Sequence, residues 1–207
     1  ELESYLDLVP GLMPDVPARV QAARILEEFR SRIGANTVPR MRHSVALAPC
    51  NKASSPLDVF PQVWSGSQPL RATQVSPYWD LHDSQVVDVV SKLLTGRPAA
   101  KRNHRVAVTL GPSGEISFPL GHRSHVQEVL ELGPLDKNIR PLHAKALIIQ
   151  NDQWISALIG SSNHTVAGFG LGKGSSPRHR EINVWIGAAL DSKEGKALRE
   201  LVPCGKK

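Results

Sequence analysis

Two apolar runs, Ala144 to Ile149 and Trp154 to Ile159, stand on either side of the polar pair Asn151-Asp152. Each run has the length of a strand and falls well short of the roughly 18–20 apolar residues a membrane span needs. A polar pair between two such runs signals a β-hairpin turn. Near-continuous apolarity suits strands covered on both faces. The chain must therefore build a sheet that other layers can cover.

The flanking pattern supplies those layers. Leu70 to Val75, Arg105 to Leu110 and Glu181 to Ile186 read as further strands. Asp83 caps a helix in which Val86, Val87, Val90, Leu93 and Leu94 form one stripe. Ser124 to Leu132 is predicted as a second helix closed by Gly133-Pro134, and Ser192 to Leu201 as the last one. Strands alternating with helices, with a hairpin among them, predict an α/β fold: a mixed β-sheet sandwiched between helices. Upstream, residues 1–15 read as an irregular lead-in. Asp15 then caps a helix with Val20, Ala23, Leu26, Phe29 and Ile33 at helical spacing. The stretch from Asn36 to Gln68 is rich in proline and serine. It holds a short strand, Ser44 to Ala48, and a helical turn near Val59-Phe60. The expected organisation is thus a helix and connector over residues 1–68, packing on a catalytic lobe over residues 69–207.

Of the 207 residues, 41% are hydrophobic and 21% charged, which suits a packed core and excludes wholesale disorder. The net charge of +6 favours polyanionic partners, nucleic acid or anionic lipid, without choosing between them. Cys50 and Cys204 lie far apart and outside metal or redox spacing. They read as unrelated thiols of a reducing compartment, and a cytoplasmic location is expected. The start, Glu1-Leu2-Glu3, is neither an initiator methionine nor a signal peptide, so an excised fragment or processed product is expected.

The chemistry lies at the mouth of the hairpin. His143 and Lys145 are two apart where the first apolar run begins, so on a strand they project to one side. The second run ends in Gly160-Ser161-Ser162-Asn163, where Ser161 and Asn163 are again two apart. A hairpin in register brings an imidazole, an ammonium and two neutral donors together. Charge and donors of this kind suit phosphoryl oxygens, while histidine does covalent or proton work. Glu181, opening the next strand, could accept a proton from His143 and fix its tautomer, or pair with Arg180 at the surface.

The order His143-Ala144-Lys145, then Gly160-Ser161-Ser162-Asn163-His164-Thr165, then Arg180-Glu181-Ile182 resembles a half-site of the phospholipase D superfamily. The resemblance covers roughly Leu70 to the C-terminus. It implies a phosphohistidine nucleophile or general acid at His143, phosphate binding by Lys145, Ser161 and Asn163, and orientation of the histidine by Glu181. Gln150 stands where the family usually has aspartate, with Asp152 close but out of register. The hairpin is also slightly longer than usual.

The family mechanism uses two histidines at one phosphorus, and this chain has a single HxK. A second HxK half-site is therefore expected from an upstream lobe or a homodimer partner. The implied activity is a metal-independent phosphodiesterase with no cofactor, acting on nucleic acid. A phospholipid substrate, with Phe169 and Leu171 as membrane-facing candidates, and a non-catalytic binding lobe are the alternatives. Tyr78 and Trp79 could line the cleft or stack a base, or equally pack in the core or at its rim. Lys173, Arg178 and Arg180 are expected as substrate contacts, and Arg97, Lys101, Arg102, His104 and Arg105 could meet a phosphate backbone. His164 is expected to be a loop residue.

Overall fold

The computed structural model describes residues 16–34, 43–51, 54–80, 85–96, 98–108, 118, 125–131, 143–172 and 179–201. The lead-in 1–15 with its cap Asp15, and likewise Asp83, Arg97, Lys173, Arg178 and Cys204, lie outside the described residues. The chain divides into two compact units, residues 1–41 and 42–207. The described part of the first unit is helix α1 (Val16–Gly34). It starts next to Asp15 as expected, but Val16, Val20 and Ile25 are exposed on it.

The second unit is built on one mixed sheet. Among the described residues it has seven strands: β1 (His43–Cys50), β2 (Arg71–Val75), β3 (Asn103–Val108), β4 (Glu128–Glu131), β5 (Ala146–Gln150), β6 (Trp154–Gly160) and β7 (Glu181–Ala189). Their order is β1-β7-β6-β5-β2-β3-β4. β2, β3 and β4 run parallel, and the other neighbours are antiparallel. β1 lies inside the segment expected to connect, and is paired along its whole length with β7.

The hairpin forms as the sequence predicts, with Gln150 opposite Ile155 and Ala146 opposite Ile159. Asn151 closes it, its side-chain oxygen accepting from Gln153 N (2.9 Å) and Trp154 N (2.7 Å). This is the local bonding that makes asparagine a turn former. The apolar runs are explained by burial on both faces. Leu147, Ile149, Leu158 and Trp185 pack on one side with Val86, Val90 and Leu94 of helix α3 (Gln85–Leu93) and its end. Helix α2 (Phe60–Val63) and Phe169 join the same layer. On the other side Ile148, Ile155, Ala157 and Ala188 pack against Leu198 of helix α4 (Lys193–Glu200). The α2 segment is also pinned by polar bonds: Trp154 Nε1 donates to Val63 O (2.9 Å) and Trp185 Nε1 to Pro56 O (2.7 Å). No helix among the described residues is long and apolar enough to cross a membrane.

One predicted element is corrected. The helix expected over Ser124 to Leu132 is, in its described part, a turn at His125 followed by strand β4. Its apolar spacing fits either state, and a run this short is decided by tertiary partners. β3 supplies them. Leu130 joins Val75 and Ala107 on one face, while Val126 and Val129 join Val106 and Val108 on the other. Gln127 N donates to His104 O (2.8 Å), and Arg105 Nε lies 3.0 Å from Glu128 Oε2.

Candidate active site

Sheet register creates the site. β5 begins where β6 ends, since Ala146 pairs with Ile159. Gly160 in turn pairs with Asn183 near the start of β7. Residues just before β5, just after β6 and at the head of β7 therefore meet at one end of the sheet. These are His143 and Lys145, Ser161 to Asn163, and Glu181.

Lys145 is half-buried, and burial pushes its amine below the usual lysine range. The Glu181 carboxylate opposes that shift by favouring the charged form. Ser161 Oγ donates to Glu181 Oε2 and accepts the Ile182 amide proton at 3.1 Å. Glu181 Oε1 lies 3.5 Å from His179 Nδ1. Glu181, expected to orient His143, is thus bonded to Ser161 and faces a different imidazole. His143 is exposed, with the ring of Tyr78 edge-on to it at 5.7 Å between centroids.

The turn after β6 is held from below. Ser162 is buried, its N–H donating to Asn183 Oδ1 (3.1 Å) and its hydroxyl accepting from Asn183 Nδ2 (2.9 Å). Asn183 Nδ2 also donates to Ala48 O (3.1 Å), so one carboxamide joins β7, β1 and the turn after β6. Asn163 Oδ1 is buried and has no hydrogen-bond partner among the described residues.

Other expectations fare differently. Tyr78 stands beside His143 and is 56% exposed. Trp79 is corrected: it is buried against Phe118 and His164, with Nε1 donating to Ser76 O (2.9 Å), so no base can reach its face. Arg180 is exposed next to Glu181. Lys173 and Arg178 lie outside the described residues. Of the basic cluster, Lys101 is exposed, Arg102 bonds Thr95 O (3.0 Å), Arg105 pairs with Glu128 and His104 is buried. His164, expected in a loop, is also buried. Phe169, offered as a membrane contact, is wholly inside the core. Gln150 and Asp152 lie at the other end of β5 from Lys145, where Asp152 faces Arg71 at 3.9 Å. The position where the resemblance implies aspartate therefore lies at the far end of the hairpin. A cavity of about 530 Å³ over α3 and β3, lined by Ser91, Lys92, Arg102, His104 and His125, contains none of the expected catalytic groups.

No family model and no curated protein sequence matches the chain. Solved structures do resemble it, at low identity. One is yeast tyrosyl-DNA phosphodiesterase, at 10% identity and a TM-score of 0.38, covering 69% of this chain and 31% of that one. Another is the phosphatidylserine synthase of Haemophilus influenzae Rd KW20, at 13% identity and a TM-score of 0.46, covering 91% of this chain and 45% of that one. The chain spans less than half the length of either.

Proposed function

We propose that residues 42–207 supply one half-site of a phosphodiesterase of the phospholipase D type, acting on nucleic acid. The observation that carries this reading is the meeting of Lys145, Ser161, Asn163 and His143 at one end of a single in-register hairpin. In the reaction an imidazole nitrogen attacks phosphorus, and the leaving oxygen takes a proton from the opposing histidine. Water then gives a proton to the now neutral opposing histidine and bonds phosphorus, breaking the nitrogen–phosphorus bond and releasing a phosphate monoester. His143 acts here as the general acid, and the attacking histidine comes from a second lobe or subunit. Lys145 neutralises a non-bridging oxygen, and Glu181 favours the charged form of that amine. The Ser161 hydroxyl and the Asn163 carboxamide complete the phosphate cradle.

The net charge of +6, the exposed Arg180 and His179, and the ring of Tyr78 beside His143 support nucleic acid. One observation favours the phospholipid reading instead. Ile159 and Ile182, 39% and 49% exposed, give the strand ends next to the site an apolar rim.

The test is cleavage of labelled single- and double-stranded oligonucleotides in excess EDTA, with His143→Ala in parallel and anionic phospholipid vesicles as a second arm. EDTA-resistant oligonucleotide cleavage lost in the variant supports the proposal. Turnover of lipid alone moves the substrate to the second reading. Binding of tungstate, a phosphate mimic, reports on the half-site without its partner. It should weaken more than tenfold in Lys145→Ala, and tungstate binding indifferent to that change would sink the phosphate reading.

A further inference from the structure

Gln74 is fully buried in β2, and its carboxamide joins two imidazoles. His104 Nε2 lies 2.7 Å from Gln74 Oε1, and Gln74 Nε2 lies 3.1 Å from His164 Nδ1. Ser91 of α3 extends the chain, its Oγ lying 2.9 Å from His104 Nδ1. An unbroken polar path thus runs from a helix, through two strands, to the residue that follows Asn163. His104 and His164 are each 1% exposed.

A carboxamide has one accepting end and one donating end. With Oε1 toward His104 and Nε2 toward His164, His104 donates from Nε2 and His164 accepts at Nδ1. Each ring then carries a single proton. Burial agrees, since it pushes His164 down to about 3 and His104 to about 4, so neither is charged at neutral pH.

His164 has further anchors on both walls of the site. Its own N–H donates to Ser76 Oγ (3.1 Å), and that hydroxyl donates to Tyr78 O (2.8 Å). Its ring is edge-on to Trp79 and Phe169, at 5.0 and 4.9 Å between centroids. It pairs as an isolated bridge with Trp79. One side chain therefore ties the turn holding Ser161 and Asn163 to the segment holding Tyr78.

We infer that His164, fixed in its Nε2-protonated form by the Gln74–His104 relay, is a positioning residue that sets Ser161 and Asn163 for phosphate. The functional half of this statement rests on the phosphate reading above; the geometric half does not. Gln74→Glu is the decisive variant. It keeps the size of the side chain and, when ionised, offers only acceptors, so His164 must turn its proton to Nδ1 or take a second one; a carboxyl kept neutral by burial would donate as Gln74 does, and the ring signals tell the two apart.

The measurement pairs nitrogen NMR of the histidine rings and the amides of residues 161–164 with tungstate titration. Wild type should show His164 protonated at Nε2 alone from pH 5 to 8. Gln74→Glu should protonate Nδ1, displace the amide signals of Ser161 to Asn163, and weaken tungstate about tenfold. His164→Asn, which keeps an acceptor near the Nδ1 position, should recover most of the affinity lost in His164→Leu. The inference is overturned if folded Gln74→Glu and His164→Leu leave those amide signals and tungstate affinity as in wild type. If wild type takes no tungstate, the phosphate reading fails by itself, and the ring and amide signals still decide the positioning role.

Discussion

The Ser161 hydroxyl donates to the Glu181 carboxylate across the ends of β6 and β7 while accepting the Ile182 amide proton. Its proton is thereby committed to an acceptor in the absence of ligand. A phosphoryl oxygen arriving at Ser161 must compete with Glu181 for that proton. The same carboxylate acts on Lys145, so one acid governs both the Ser161 hydroxyl and the Lys145 ammonium.

Ser161→Ala and Glu181→Ala should therefore couple. Each removes the same bond, and the double variant should lose less stability than the sum of the singles. A coupling of about 1 kcal/mol is expected for a hydrogen bond of this kind at a partly exposed site. Urea unfolding of the four proteins measures it, and additive effects would show that the bond does not form in solution.

Glu181→Gln should move Lys145. Burial already disfavours the ammonium, and Glu181 is the group that offsets it. Removing the negative charge leaves desolvation unopposed, so the amine should titrate lower still and acylate faster at a given pH below its titration midpoint. Competitive labelling of Lys145 with a trace acylating reagent reads this directly. Slower labelling in the variant would contradict the assigned electrostatics.

Stability should fall on mild acidification because of His104 and His164. In the unfolded chain both titrate near the ordinary histidine value of 6.5, while folded they are held to about 4 and about 3. The unfolded state thus binds more protons between these limits, and unfolding free energy rises with pH there. The contribution is complete above about 6.5 and is lost as pH falls toward 4 and then 3. Each histidine adds a slope of up to about 1.4 kcal/mol per pH unit. Urea midpoints from pH 7.5 to 4.5 test this. His104→Gln should flatten the curve, and a wild-type midpoint constant over that range would disprove the neutral relay.

How far the sequence showed all this depends on distance along the chain. The hairpin was legible because Ala144 to Ile149 and Trp154 to Ile159 carry their own signal, and α3 because Val86, Val90 and Leu94 repeat at helical spacing. β4 was not, since what makes Glu128 to Glu131 a strand is the edge of β3, two dozen residues earlier. Lys145, Ser161 and Glu181 could be grouped because strand ends carry them into register. The relay could not, because Ser91, His104, Gln74 and His164 come from four separate segments. Its one local sign was Gln74 between Thr73 and Val75 in the short strand β2. Trp79 misled because an aromatic beside the exposed Tyr78 reads as a cleft residue, whereas alternation turns it inward.

Gly160 offers the sharpest steric test. Its pairing with Asn183 brings the two backbones so close that an added Cβ would lie 2.6 Å from Asn183 Cα, with Ile182 O and the Asn183 side chain also in overlap. Two of these are backbone atoms and cannot rotate away. Gly160→Ala should therefore part β6 from β7 locally, at a cost of about 1–3 kcal/mol. Shifting Asn183 also loosens Ser162 and Ala48, which its carboxamide holds. Tungstate affinity should then fall together with the unfolding midpoint. Adding Asn183→Ala should not restore either, because Asn183 Cα and Ile182 O stay in place. A Gly160→Ala protein within about 0.5 kcal/mol of wild type would mean that the strand ends separate freely, and that β6 and β7 do not hold the cradle at this spacing.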